Sequence, residues 1–240
     1  MIETMTLWPF RKRVSLQDSG IFSGFTDWHS HILPGVDDGV RTMGESLEIL
    51  RLYEKLGVRS VWLTPHIMED IPNTTAHLRE RFAELQASYS GSVELHLAAE
   101  NMLDGLFEER LEKNDLLPFG ENGDHLLVET SCFSPPMDLY GILERIKAKG
   151  YYPVLAHPER YVYMHEAEYR HLKEMGVKFQ LNLFSIVGAY GKHIQEKAEI
   201  LLKARMYDRI GCDTHSMDFY LRMSQSDIRP KNINEFIEKS

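Results

Sequence analysis

The sequence predicts an α/β fold in one domain, with parallel strands joined by helical crossovers, and three observations carry that prediction. Short strand-like runs alternate with amphipathic helical stretches from about Gly24 onward. Three helices end alike, a lysine followed by a glycine: Lys55 and Gly57, Lys149 and Gly150, Lys173 and Gly176. A cation suits the negative end of a helix, and glycine tolerates the left-handed position just beyond it. Each of these glycines leads into a short apolar run, Ser60–Leu63, Pro153–Ala156 and Phe179–Leu183. A helix–turn–strand unit repeated in this way favours parallel pairing.

In chain order, candidate strands fall near 24–28, 60–64, 93–98, 125–129, 153–156, 179–183 and 209–212. Thr42, with Glu45 three places on, is a capping-box signature for a helix running to about Leu56. Leu78, Phe82 and Leu85 make the apolar stripe of a second helix. Leu139, Ile142, Leu143 and Ile146 make that of another, and Ile194, Ala198, Leu201 and Leu202 repeat the spacing. No Pro/Gly/Ser-rich linker divides the chain, so residues 21–240 read as one domain behind an N-terminal tail over 1–20. Seven strands in one series suggest a closed or nearly closed barrel. A doubly wound open sheet is the alternative, but no Gly-rich phosphate fingerprint follows the first strand.

Composition narrows the function classes. The chain has 240 residues, 43% hydrophobic and 26% charged, which is globular rather than disordered. A net charge of −9 argues against holding nucleic acid or an anionic membrane by the overall field. No apolar run approaches the ~18 residues of a membrane span, so stable membrane insertion is not expected. Near the N-terminus, the basic triplet Arg11-Lys12-Arg13 follows the apolar patch around Trp8 and Phe10 instead of preceding it. That is not the pattern of a signal peptide. Two cysteines make no disulfide framework, and a reducing, cytoplasmic setting is the default expectation.

The chemistry-bearing residues gather at strand ends. The first strand ends in Asp27-Trp28-His29-Ser30-His31, where the two imidazoles, two residues apart, face the same side of an extended chain. A turn with two carboxylates, Asp37 and Asp38, follows. Later strands end in His66, Glu100, Glu129 and His157, and the last in Asp213 with His215 two places on. The sixth strand ends in the polar Asn182. One His or Glu at a strand end is ordinarily a solvated loop residue. Repetition at the same end of successive strands is what chance does not readily produce, and in parallel barrels that rim is where sites are built. Five histidines and at least four carboxylates exceed the four to six ligands of one ion, which implies two or three metals. Asp27 and Asp37 are expected to orient ligating imidazoles. His77, His96, His125, His165, His171 and His193 read as surface or packing residues, and Cys132 and Cys212 as small hydrophobes beside the site.

The segments DWHSHILPGVDDG, TPH, AAEN, LLVETS, LAHPERY and CDTHS resemble the PHP (polymerase and histidinol phosphatase) superfamily. Within it the chain is most similar to the bacterial metal-dependent protein-tyrosine phosphatases of capsule and exopolysaccharide synthesis, over roughly Gly24 to Ser216. The resemblance implies a distorted (β/α)7 barrel with its active site at the C-terminal rim of the strands. It puts metal ligands at His29, His31, Asp38, His66, Glu100, Glu129, His157, Asp213 and His215, with Glu100 bridging. It implies a trinuclear cluster of manganese, iron or zinc, manganese first, and hydrolysis by direct attack of a metal-bridging hydroxide. Arg160 matches a phosphate-contacting arginine, and Arg222, a little later than the family pattern, is assigned to a second. Asp38 or His66 would pass a proton to the leaving group, and the sequence leaves both open. The implied partner is a phosphotyrosyl protein, namely the tail of a tyrosine kinase, and a homo-oligomer is compatible with the sequence.

The thiol route to tyrosine dephosphorylation is excluded. It needs an arginine six places after the cysteine, and Asp138 and Asp218 stand there. A small-molecule phosphatase such as histidinol-phosphate phosphatase shares the metal set and is the alternative within enzymes. A nuclease or phosphodiesterase sits poorly with an acidic chain lacking a basic stripe. A non-catalytic metal-stabilised scaffold is the alternative outside enzymes, and it sits poorly with a complete ligand set. Trp28, Phe133, Tyr161 and Tyr163 are candidates to stack on a substrate ring or to pack in the core.

Overall fold

The computed structural model describes residues 14–228. In chain order its strands are β1 (Val14–Ser15), β2 (Thr26–Ser30), β3 (Ser60–Leu63), β4 (His66–Ile67), β5 (Glu94–Leu97), β6 (Glu100–Met102), β7 (His125–Glu129), β8 (Tyr152–Ala156), β9 (Lys178–Asn182), β10 (Arg209–Gly211) and β11 (Asp227–Ile228). The helices are α1 (Met43–Leu56), α2 (Thr75–Ser88), α3 (Gly105–Lys113), α4 (Leu139–Ala148), α5 (Glu166–Glu174), α6 (Lys192–Lys203) and α7 (Met217–Ser224).

Each of the seven expected strand positions carries a strand. The second and third are each broken in two. Pro65 lacks the N–H that would continue the ladder from β3 into β4. Beside it the chain between β5 and β6 bends, and the Glu100 N–H is shared between the Thr64 and Pro65 carbonyls at 3.3 and 3.1 Å. The strands form a six-stranded parallel sheet in the order β10-β9-β8-β7-β6-β4 and a three-stranded parallel sheet β2-β3-β5. The sheet curls. At its far edge β10 lies along β2, where the Asp213 N–H donates to the His29 carbonyl at 2.8 Å and the His31 N–H to the Thr214 carbonyl at 3.0 Å.

The helices form where the stripes and caps place them. Leu139, Ile142, Leu143 and Ile146 of α4 are all buried, each worth about 2 kcal/mol of apolar burial. The Thr42 hydroxyl caps α1 by accepting from the Glu45 N–H at 3.2 Å. The Glu45 carboxylate does not close the box. It accepts instead from the Met217 N–H at 3.2 Å and ties α1 to the start of α7. Gly57, Gly150 and Gly176 all take left-handed φ, at 84°, 90° and 83°.

The N-terminal boundary needs correction. Residues 14–20 belong to the fold rather than to a tail: β1 pairs antiparallel with β11, and Leu16 is fully buried. The pairing uses residues at opposite ends of the described chain, which local sequence does not reveal. The tail reading of residues 1–13, with Trp8 and Phe10, falls outside the described residues, as does the segment from 229 on. No helix among the described residues is long and apolar enough to cross a membrane.

A buried carboxylate fastens the β2–β10 edge. Asp27 accepts from the backbone N–H groups of Cys212 at 2.8 Å and His29 at 3.2 Å, and from the Tyr53 hydroxyl at 2.7 Å. Burial pushes the Asp27 carboxyl up, and these three donors oppose it. Tyr53→Phe deletes one donor and leaves a buried acceptor short of a partner. A loss of about 1–3 kcal/mol is expected in urea unfolding. A change below about 0.5 kcal/mol would mean that the two backbone donors suffice.

Candidate metal centre

Parallel strands of similar length end at one edge, and the sequence motifs sit at those ends. β2 delivers His29 and, one residue past its end, His31. β4 delivers His66, β6 Glu100 and β7 Glu129, with His66 and Glu100 register partners on adjacent strands. His157 follows β8, and Asp213 and His215 follow β10. Asp38 comes from the turn after β2. All nine converge. Four overlapping groups have ligand atoms mutually within 4.8 Å: His31, Asp38, His66 and His215; His29, His31 and Asp213; His29, Glu100 and His157; and His66, Glu100 and Glu129.

The spacings suit a metal better than hydrogen bonds. His29 Nε2 and His31 Nε2 stand 3.0 Å apart, and both stand 3.1–3.3 Å from Glu100 Oε2. His66 Nδ1 is 3.1 Å from Glu100 Oε2 and 3.0 Å from Glu129 Oε1. Ligands held about 2.1 Å from one ion lie about 3.0–3.4 Å from each other. His66 Nδ1, Glu100 Oε2 and Glu129 Oε1 are buried, close together, and outside hydrogen-bonding geometry. Buried polar atoms of this kind call for a partner, and a divalent cation shared among imidazole and carboxylate donors is one that fits.

Electrostatics point the same way. Burial opposes charge on His29, but Glu100 and Asp213 outweigh it and push the imidazole up to about 9. Burial likewise opposes charge on His31, and Asp37, Asp213 and Glu100 raise it well above the ordinary histidine value. Burial would raise Glu100 and Asp213, yet the surrounding imidazoles, His29 foremost, hold both well below the usual carboxylate range. Asp38, at the mouth, is lowered to about 2, chiefly by the His215 hydrogen bond. The carboxylates therefore stay charged and attract positive charge onto the imidazoles, a demand that a metal ion meets by displacing protons.

Supporting residues fix the donors. Asp37 Oδ2 accepts from His31 Nδ1 at 2.8 Å, the orienting contact expected of it. Asp27 does not orient an imidazole, because its oxygens are taken by the backbone and Tyr53. Gln180 does that for His29, its Oε1 lying 2.9 Å from His29 Nδ1 and also accepting from the His157 N–H at 3.3 Å. Gln180 escaped the sequence reading, although a polar side chain inside the apolar run, ahead of the polar strand end at Asn182, was a usable signal. Asn182 donates to Asp213 Oδ2 at 2.9 Å. Gly211 lies so close to His29 that a Cβ there would come within 2.4 Å of the His29 Cβ.

Above the donors opens a cleft of ≈ 300 Å³. Arg160 lines it, held by Asp213 Oδ2 at 2.9 Å and by the Tyr190 ring at 4.6 Å. Arg222 does not join them. It sits in the last turn of α7 with its guanidinium 5.8 Å from the Phe219 ring, and it does not line the cleft. Of the four aromatic candidates only Phe133 lines the cleft. Trp28 stacks on Trp62, Tyr161 is fully buried, and the Tyr163 hydroxyl is engaged by Thr130 at 2.6 Å. Burial raises Cys132 and Cys212 above the ordinary thiol value, so neither is a ready thiolate.

Fold and site together define an α/β protein with a curled parallel sheet and a cluster of candidate metal donors at its strand ends. The family model described as capsular polysaccharide synthesis, CpsB/CapC, matches residues 25–224, and the chain belongs to that family. It is 29% identical over 197 residues to tyrosine-protein phosphatase YwqE of Bacillus subtilis, covering 80% of this chain and 77% of that one. It is 28% identical over 205 residues to tyrosine-protein phosphatase CpsB of Streptococcus pneumoniae, covering 80% and 83%. Among solved structures it matches a chain from those of YwqE and CpsB, described as unique metal-dependent tyrosine phosphatases. The TM-score is 0.75 at 26% identity, covering 90% of this chain and 87% of that one.

Two outcomes test the centre. Manganese should raise the thermal unfolding midpoint, and a chelator should reverse the rise, because a ligand that binds only the folded state stabilises it. Gln180→Leu should weaken metal binding about 10–100-fold in a metal titration while the far-UV spectrum stays folded. Unchanged affinity would show that Gln180 does not hold His29.

Proposed function

We propose that this chain is a metal-dependent protein-tyrosine phosphatase of capsule or exopolysaccharide synthesis, acting in the cytoplasm on a phosphotyrosyl protein such as a kinase tail. The convergence of nine imidazole and carboxylate donors beneath a cleft with one arginine in its wall carries this reading. Kinship with proteins named tyrosine phosphatases supports it. In this reading the metal ligands are His29, His31, Asp38, His66, Glu100, Glu129, His157, Asp213 and His215. Glu100 would bridge, as the resemblance implies, and it is the carboxylate that belongs to two of these donor groups. The seven strand positions act as one barrel of the PHP type, residues 14–228 lie in a single domain, and two or three ions, manganese first, are held.

Bound divalent ions supply charge neutralisation at the phosphoryl oxygens and acidify water. The protein's own groups do the rest. Arg160, fixed by Asp213 and Tyr190, offers its remaining N–H donors to the phosphoryl oxygens where charge develops. Asp38 Oδ1 lies 3.6 Å from His66 Nε2 and 3.5 Å from His215 Nε2, at the open end of the cluster. The Asp38 side chain is 64% exposed. This Asp38–His66 pair is where a proton can pass between the leaving oxygen and solvent. No covalent phosphoenzyme is required, in keeping with two protonated thiols.

Phosphate release should be measured from a phosphotyrosyl peptide and from histidinol phosphate, each with manganese and with a chelator. Manganese-dependent release favouring the peptide is expected, and Arg160→Ala should lower kcat about 10²–10³-fold with metal content retained. Preference for histidinol phosphate would move the substrate class. No release of either by the metal-loaded protein would leave a binding scaffold.

A further inference from the structure

We propose that Met68, Met102 and Phe133 form an apolar wall that grips the aromatic ring of the phosphoester, so that the site selects aryl over alkyl leaving groups. The proposal rests on the phosphatase reading and adds to it the residues that set substrate choice.

The wall follows from register and alternation. His66 of β4 pairs with Glu100 of β6, and Ile67 with Asn101. In extended chain, residues two apart face the same way. Met68, one residue past β4, therefore stands on the face of His66, and Met102, at the end of β6, on the face of Glu100. That is one step out from the donor cluster, and both methionines line the cleft. Met102 is also the register partner of Glu129, whose strand leads four residues later to Phe133.

Phe133 is 79% exposed and lines the cleft, an unusual place for a phenylalanine. Its loop is held in place: the Phe133 N–H donates to the Ser131 hydroxyl at 3.2 Å, the Val162 N–H to the Cys132 carbonyl at 2.9 Å, and Pro135-Pro136 stiffens the return. Arg160, Asp38 and His215 also line the cleft, and they are polar. The cleft thus has charged groups for a phosphoryl group and, in the same lining, a thioether–aromatic wall. Thioether sulfur and an aromatic edge both make favourable contacts with a phenyl ring. An alkyl phosphoester, as in phosphoserine, brings no aromatic ring to that wall.

The test uses the metal-loaded full chain, the variants Phe133→Ala, Met68→Ala and Met102→Ala, and Met137→Ala as a control. Met137 is on the same loop but fully exposed and does not line the cleft. Binding of phenylphosphonate and methylphosphonate is measured by calorimetry, and kcat/KM is measured for phenyl phosphate and glycerol phosphate. Wild type should bind phenylphosphonate more tightly. Each wall variant should lose about tenfold in phenylphosphonate affinity and in phenyl phosphate kcat/KM, through KM. Methylphosphonate, glycerol phosphate and metal content should stay within about twofold, Phe133→Tyr should retain the preference, and Met137→Ala should change nothing. Equal losses for aryl and alkyl ligands, or no phenylphosphonate preference in wild type, would overturn the wall. A preference in binding without turnover of either ester would overturn the phosphatase reading and leave the wall standing.

Discussion

Concentrated negative charge at the strand ends is the constraint on which the rest of the structure depends. Glu100 is fully buried, Asp213 and Glu129 nearly so, and Asp37 stands directly behind His31. A carboxylate taken out of water costs several kcal/mol unless it is paired. Five imidazoles face these carboxylates, but a proton shared between one imidazole and one carboxylate satisfies only that pair. A divalent cation satisfies three or four donors at once and removes the need to charge the imidazoles. Among the described residues, Arg160 is the one lysine or arginine lining the cleft, and it is already committed to Asp213. The site is therefore acidic by construction, and its donors are arranged as a cation would require.

Bringing the donors together distorts the backbone where strands end. His157 and Asp213 are non-glycine residues in the left-handed region, at φ 34° and 52°. Such residues cost on the order of 1 kcal/mol or more and persist only when their surroundings enforce them. Here the enforcement is visible. Pro158 opens the tight turn after His157, whose N–H is held by Gln180. The Asp213 N–H is held by the His29 carbonyl, across a contact that the missing side chain of Gly211 permits. Strain and donor placement coincide at the same two residues, which is the expected signature of a site rather than of loop variation.

Much of this was legible in the sequence because it is local. Strand positions follow from apolar runs behind lysine–glycine helix ends, and the donors follow from the repeated placement of His, Asp and Glu at those strand ends. What escaped depends on contacts between distant segments. The β1–β11 pair joins residues more than 200 apart in the chain. Asp27 looks like an imidazole orienter by position, yet Tyr53 and Cys212, from other elements, claim its oxygens. Gln180 reads as an ordinary strand residue until β9 is laid beside the ends of β2 and β8. The family pattern after CDTHS points to Arg222, but the helical turn of α7 sets its guanidinium by Phe219. Met68 and Met102 come to line one cleft only when β4 is laid beside β6.

In the proposed reading the cleft divides the work between bound ions and side chains, and no protein nucleophile is needed. Cys132 lines the cleft, yet burial keeps it protonated and no arginine stands six places on, so it offers packing rather than attack. What remains for side chains is placement, and Arg160 shows how it is achieved. Its Nη1 is fixed on Asp213 at 2.9 Å, its plane lies over the Tyr190 ring, and Asn182 bridges the Tyr190 hydroxyl and Asp213 at 2.9 Å each. A planar fork with five donors can spend one on Asp213 and still present others to a phosphoryl group, whereas a lysine is a point charge that could not be held by a ring face and a carboxylate in one orientation. Asp213 is thus both a donor of the cluster and the anchor of the arginine. In the proposed reading, the charge that would receive the phosphoryl group is positioned by the same residue that would help to hold a metal.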